Sequence, residues 1–115
     1  MAPRKLDKNE WKPYLDALSK LLGAKQVEIE VLSLRLGEQI EAEWVPFIGI
    51  VYDPKDDIVE VALEGVDHLI PKPREIWVDD LGANLSSIAV VDGDGNQHLI
   101  RLKEPLMLPA PAHGA

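Results

Sequence analysis

The sequence has no cysteine, a single phenylalanine, and aromatic residues at only 5% of its 115 positions. Without cysteine there are no disulfides, no thiolate metal ligands and no cysteine nucleophile, and the redox compartment stays open. Basic residues are also scarce, with twelve Lys and Arg against twenty Asp and Glu for a formal charge of -8. Such a field repels nucleic acid phosphates and anionic membranes at long range. The opening stretch MAPRKLDKNEW carries charge with no apolar core behind it, and no long apolar run follows. Neither a secretory signal nor a transmembrane helix is therefore expected, and the chain is assigned to the cytoplasm. Ser19, Ser33, Ser86 and Ser87 lack a G-x-S-x-G setting, and no Gly-rich phosphate loop is present.

What remains is an ordinary foldable composition, 46% hydrophobic and 28% charged, at a length that suits one domain. Trp11, Leu15, Leu18 and Leu22 recur at helical spacing and predict one amphipathic helix, with Tyr14 and Leu21 widening the stripe. Asp7 or Asn9 caps its start, Glu10 suits the positive end of the dipole, Pro13 requires a place in the first turn, and Gly23 supplies the stop.

Beyond Gly23 the period changes to two. VEIEV (27–31) and IEAEW (40–44) alternate apolar residues with glutamates, which predicts two half-buried strands with Glu28, Glu30, Glu41 and Glu43 facing water. FIGIVY (47–52) and IVEVAL (58–63) flank the turn DPKDD as an antiparallel hairpin. Pro71 and Pro73 confine HLIPKP (68–73) to an edge or a loop, after which Ile76, Trp77 and Val78 resume a short strand. SIAVV (87–91) and HLIRL (98–102) form a final hairpin.

The expected fold is α+β: an N-terminal amphipathic helix followed by a curled antiparallel sheet, or a small Sm-like or SH3-like barrel, of about five to seven short strands. Residues 1–105 are expected to be a single α+β domain and 106–115 a Pro/Ala-rich tail. Trp44, Phe47 and Trp77 are expected in the core, whereas Leu106, Met107 and Leu108 in PLMLP have no clear core partner and either pack back or bind a second subunit.

The stretch VVDGDGNQHLI (90–100) raises the question of calcium. Asp92, Asp94 and Asn96 match the first three ligand positions of an EF-hand loop, but Gln97 stands where glycine is needed and Lys103 where the bidentate glutamate is needed. Asp-Gly pairs between alternating segments are turn formers, so a hairpin turn is expected. The three histidines, His68, His98 and His113, lack metal-ligand spacing. His68, beside Asp67, has Asp79 or Asp80 as conceivable acid/base partners across the fold. No catalytic, cofactor-binding or metal residue is assigned from the pattern, and no cofactor is expected.

Through VYDPKDD, HLIPKPREIWVDD and RLKEPLMLPAPA the chain resembles a family of small bacterial proteins known only as a domain of unknown function. The resemblance runs from EWKPYLDALSK to the tail and is most specific in HLIPKPREI (68–76) and EPLMLPAPA (104–112). It implies a small bacterial cytoplasmic protein with no assigned activity, cofactor or catalytic residue. FIGIVYDPKDDIVEVALEG (47–65) is similar to the first half of an Sm-like barrel, which implies RNA binding, against the sign of the net charge.

Three functions follow as expectations. The first is a non-enzymatic interaction or self-assembly domain, in which the glutamate face could dock a basic partner. The second is an Sm-like RNA binder using Lys72, Arg74, Arg101 and Lys103. The third is a small enzyme built on His68 with Asp79 or Asp80.

Overall fold

A 17-residue strand, far longer than an ordinary strand of five or six, organises the molecule. The computed structural model describes residues 3–23, 25–33, 35, 37–80 and 84–107. In chain order its elements are β1 (Arg4–Lys5), α1 (Lys8–Leu21), β2 (Gln26–Ser33), β3 (Gly37–Asp53), β4 (Ile58–Leu63), β5 (Val66–Pro71), β6 (Pro73–Asp79), β7 (Asn84–Asp92) and β8 (Gln97–Met107). The fold is α+β, with one helix against one large antiparallel sheet in the order β1-β6-β7-β8-β2-β3-β4-β5. The strands number eight among the described residues, more than the five to seven expected.

IEAEW and FIGIVY, read above as separate strands, are the two halves of β3. Its first half pairs with β2 as far as Pro46, and its second half, from Phe47, pairs with β4. Trp44 sits at φ 51°, which breaks the alternation where the strand bends. At the switch, Phe47 N–H donates to the Lys25 carbonyl and Glu64 N–H to the Pro46 carbonyl, so β3 holds both neighbours as it changes partner.

A second corner lies between β5 and β6. These strands stand far apart in the pairing order, yet Lys72 alone separates them, and successive Cα atoms are only about 3.8 Å apart. The sheet must curl until these strands meet. It does not close into a barrel: among the described residues no ladder joins β5 to β6. Pro71 and Pro73 have no N–H to donate there, and Lys72, at φ 52°, gives its N–H to the Asp57 carbonyl at 2.8 Å. The expectation that the Pro71 and Pro73 segment would be an edge holds for β5, the last strand in the order.

The helix covers the open side of the curl. Asp7 N–H donates to Glu10 Oε1 at 3.0 Å and Glu10 N–H to the Asp7 carbonyl at 2.8 Å, which fixes the first turn. Trp11, Leu15 and Leu18 are buried on one stripe, with Leu22 at the C-cap and Gly23 following it. Each such burial contributes roughly 1.5–3 kcal/mol before entropy is counted. Leu21 is exposed, so it does not belong to the stripe, and Pro13 lies inside the helix beyond its first turn. The Trp11 ring meets Tyr52 edge to face at 5.2 Å.

Once β2 has left at Pro46, the second half of β3 has a free edge, and α1 satisfies it with a side chain. Ser19 Oγ donates to the Ile50 carbonyl at 2.6 Å and accepts from Ile50 N–H at 2.8 Å. One hydroxyl thus replaces a ladder partner for both backbone groups of Ile50.

Phe47 is buried as expected, but Trp44 and Trp77 are only partly covered. Trp77 lies on the outer side of β6 and donates Nε1–H to Glu75 at 3.0 Å. β8 runs through Leu106, which is buried, to Met107, which is exposed. Leu108, Pro109 and His113 lie outside the described residues.

Candidate functional site

Alternation along three strands aims three polar residues inward. His98 shares the register of Ile100 and Leu102 on β8, Asp92 that of Ile88 and Val90 on β7, and His68 that of Ile70 on β5. The curl then brings β5 over the β7–β8 hairpin. His68 Nε2 and His98 Nδ1 are 2.9 Å apart, and His98 Nε2 lies 2.9 Å from Asp92 Oδ2. A carboxylate and two imidazoles form one hydrogen-bonded line that begins in the core and ends at a partly open ring.

Asp92 is the fixed end. Its Oδ1 accepts from the backbone N–H groups of Asp94 and Asn96, and its Oδ2 from Asn96 Nδ2 and His98. Four donors leave it acting as the clasp of a hairpin turn, as the Asp-Gly pairs predicted, with its oxygens turned toward its own loop. Burial pushes the Asp92 carboxyl up, but the His98 hydrogen bond and the Asn96 and Asp94 amides outweigh it and hold it below the usual carboxylate range. Gly93 backs onto the β5–β6 corner, where an added Cβ would come within 3.2 Å of Lys72 Cβ.

His68 is the open end. Burial lowers its pKa below the ordinary histidine value, the neighbouring His98 lowers it further, and Glu41 pulls the other way. It lines a depression of about 240 Å³ together with Ile29, Glu41, Ala42, Leu63, Val66 and Asp67. No group of three His, Cys, Asp or Glu placed to hold a metal ion occurs among the described residues.

The two acids paired with His68 from sequence go elsewhere. Asp80 accepts both Nε and Nη2 of Arg4, at 3.1 and 3.0 Å, and the Tyr14 hydroxyl at 3.0 Å. Burial pushes the Asp80 carboxyl up, and the Arg4 and Tyr14 hydrogen bonds more than reverse it. Burial, with Asp80 second, raises the Tyr14 phenol well above its ordinary value. Asp79 lines a different depression, of about 260 Å³, with Trp77, Ser87 and Leu99 on the outer side of β6–β8. Both acids lie at the end of β6 away from the Pro73 corner, where Asp79 pairs with Ser87 while Pro73 pairs with Asp92.

The glutamate face also divides. Glu41 and Glu43 are exposed, but Glu28 and Glu30 are buried, because β8 lies beside β2 and Arg101 reaches across. Arg101 Nη1 donates to Glu28 at 3.1 Å and Nη2 to Glu30 at 3.0 Å. A hydrogen bond with Glu38 raises the Glu30 carboxyl, burial adds to this, and Arg101 opposes both. Arg101 is therefore committed to an ion pair, and the basic set Lys72, Arg74, Arg101 and Lys103 loses a member. Lys72 occupies the corner and Arg74 the β6 bulge.

The outer side of β3–β4–β5 is the other notable surface. Val51, Glu60 and Leu69 stand in register across the three strands, with Asp53, Ile58 and Pro71 in the row on one side and Gly49, Ala62 and Asp67 in the row on the other. Leu69 is 54% exposed, Val51 39%, and Ile48, at the adjoining bulge, 59%.

The model of a family of unknown function, DUF5335, matches residues 2–111. The chain belongs to that family. It is similar to an uncharacterised protein of Aquifex aeolicus (strain VF5), 41% identical over 110 residues, which cover 95% of this chain and 99% of that protein. No solved structure matches. No helix among the described residues is long and apolar enough to cross a membrane.

Proposed function

We propose that this chain is a non-enzymatic interaction domain of the bacterial cytoplasm that docks a basic, partly apolar protein segment on the outer side of β3–β4–β5. The row Val51–Glu60–Leu69 carries the reading. Two exposed apolar side chains flank a carboxylate in register, and Asp53 and Asp67 stand at the corners of the patch. α1 packs on the inner side and leaves this patch uncovered among the described residues. Apolar residues rimmed by one sign of charge favour a partner with apolar anchors and the opposite sign. A second copy of the chain brings its own carboxylates and a charge of -8, which opposes self-assembly through this patch. The RNA-binding alternative has less support because Arg101 is engaged by Glu28 and Glu30. The enzyme alternative has lost its pairing of His68 with Asp79 or Asp80.

Amide chemical-shift mapping with a lysine-leucine amphipathic peptide tests this reading. The expected shifts centre on Val51, Glu60 and Leu69, weaken with salt, and vanish in Leu69→Glu and Glu60→Lys. Shifts that fall elsewhere, or that persist in both variants, contradict it. A dimer in light scattering that Leu69→Glu dissociates would give the patch to self-assembly.

A further inference from the structure

With both rings neutral, the protons along the Asp92–His98–His68 line have one consistent arrangement. Ionised Asp92 only accepts, so His98 Nε2 carries the proton in their 2.9 Å contact. His98 Nδ1 is then a lone pair, and its 2.9 Å contact with His68 Nε2 is a hydrogen bond only if His68 Nε2 carries the proton. His68 Nδ1 is therefore also a lone pair. It receives no hydrogen bond from the described residues, and it is not among the buried atoms left unpaired, so it meets solvent.

The other polar side chain turned to the depression is the exposed carboxylate of Glu41, which acts on His68, whereas Asp67 borders it from β5 with its side chain on the opposite face. Every side chain that offers hydrogen bonds there is an acceptor, and the rest of the lining is apolar, from Ile29, Ala42, Leu63 and Val66. A primary ammonium is the complementary group, with three donors, no acceptor and a positive charge. We infer that the depression binds a primary alkylammonium, with its N–H groups directed to His68 Nδ1 and Glu41 and its methylenes against the apolar lining. A metal ion is a poorer match, since it needs a tighter set of ligands than any His, Asp and Glu group described here provides. The chemistry is shared by a free small amine and by a lysine side chain that another protein presents. The inference is independent of the docking patch on the outer side of the sheet.

The test uses the full chain labelled with ¹⁵N-histidine at pH 8, titrated with n-butylammonium, with Nα-acetyl-lysine methylamide and with tetramethylammonium. Either amine should give a saturable shift of His68 Nδ1. Tetramethylammonium, with the same charge and no donor, should bind about tenfold more weakly, and Glu41→Gln should cost a similar factor. Asp92→Asn touches nothing in the depression, but its amide donates to His98 Nε2, reverses both rings and makes His68 Nδ1 a donor. Amine binding should fall by about tenfold there too, with the ring reversal visible in the nitrogen shifts. Tighter binding of butylammonium assigns the site to free amines, and tighter binding of the lysine derivative to a presented side chain. The inference is overturned by no saturable shift with either amine, by equal binding of tetramethylammonium, by undiminished binding in Asp92→Asn with reversed rings, or by Zn²⁺ or Mg²⁺ saturating the same residues in preference.

Discussion

His68 Nε2 and His98 Nδ1 meet at 2.9 Å across the curl of the sheet, joining β5 to β8 from positions thirty residues apart in the chain. The contact links two strands that share no backbone ladder, so the protonation of these rings bears on the stability of the curl itself.

Stability should fall as the pH drops below the ordinary histidine value. Burial and His98 hold the folded pKa of His68 below 6.5, so in that window the unfolded chain binds more protons than the folded one. The His68 contribution is complete above 6.5, is lost as the pH falls toward the lower folded value, and stays lost below it. Glu41 is the carboxylate that moderates the effect. Asp92 adds a second loss at lower pH, since its stabilisation is present above 3.8 and disappears as the pH falls through its depressed folded value. Melting temperature measured against pH should show both losses, and His68→Gln should flatten the first. A profile unchanged in that variant would contradict the assignment.

Ser19→Ala should destabilise the fold by about 2 kcal/mol, because it removes the partner of both the N–H and the carbonyl of Ile50. Urea unfolding gives the value. Ser86→Ala is the comparison, since Ser86 makes one long bond of 3.3 Å to the Asp79 carbonyl and should cost less than half as much.

Gly65→Ala separates backbone strain from crowding. Gly65 adopts φ +86° in the β4–β5 hairpin, and an added Cβ would meet nothing within 4 Å. A loss of about 1 kcal/mol is expected from the dihedral angle alone. No loss in urea unfolding would mean that the turn relaxes.

Tyr14 should ionise above its ordinary value of 10.0, because burial and the hydrogen bond to Asp80 both favour the neutral phenol. Absorbance at alkaline pH reads this directly. Asp80→Asn should bring the Tyr14 transition down toward that value and reduce stability by no more than about 1 kcal/mol, since the Arg4 partner is half exposed and screened.

Much of the fold was legible from residue patterns. The stripe of Trp11, Leu15 and Leu18 located α1, and the alternation in IVEVAL, SIAVV and HLIRL located β4 and the final hairpin. The strand count was not legible, because the two-residue β1 is too short to show a period, the Pro71 segment reads equally as an edge or a loop, and Trp44 splits one strand into two apparent runs. Glu28 and Glu30 looked solvent-facing because alternation gives the face a residue occupies and is silent on whether Arg101 comes from a neighbouring strand to cover it. The histidine line had a local signal, since His98 and Asp92 occupy inward positions of their strands. Its partner did not, because the meeting of His68 with His98 depends on the curl, a property of the whole sheet. Asp79 and Asp80 are nearer than His98 to His68 in sequence but lie at the end of β6 away from the corner where it meets β5.

The most direct measurement is the scalar coupling across the hydrogen bond between His68 Nε2 and His98 Nδ1 in ¹⁵N-histidine-labelled protein at pH 8. The structure predicts a resolved nitrogen–nitrogen coupling with both rings protonated on Nε2, and in Asp92→Asn a coupling that persists with its proton moved to His98 Nδ1. Rings that show no coupling, or that carry the proton on Nδ1 of His68, would contradict the Asp92–His98–His68 line and the acceptor-only depression drawn from it.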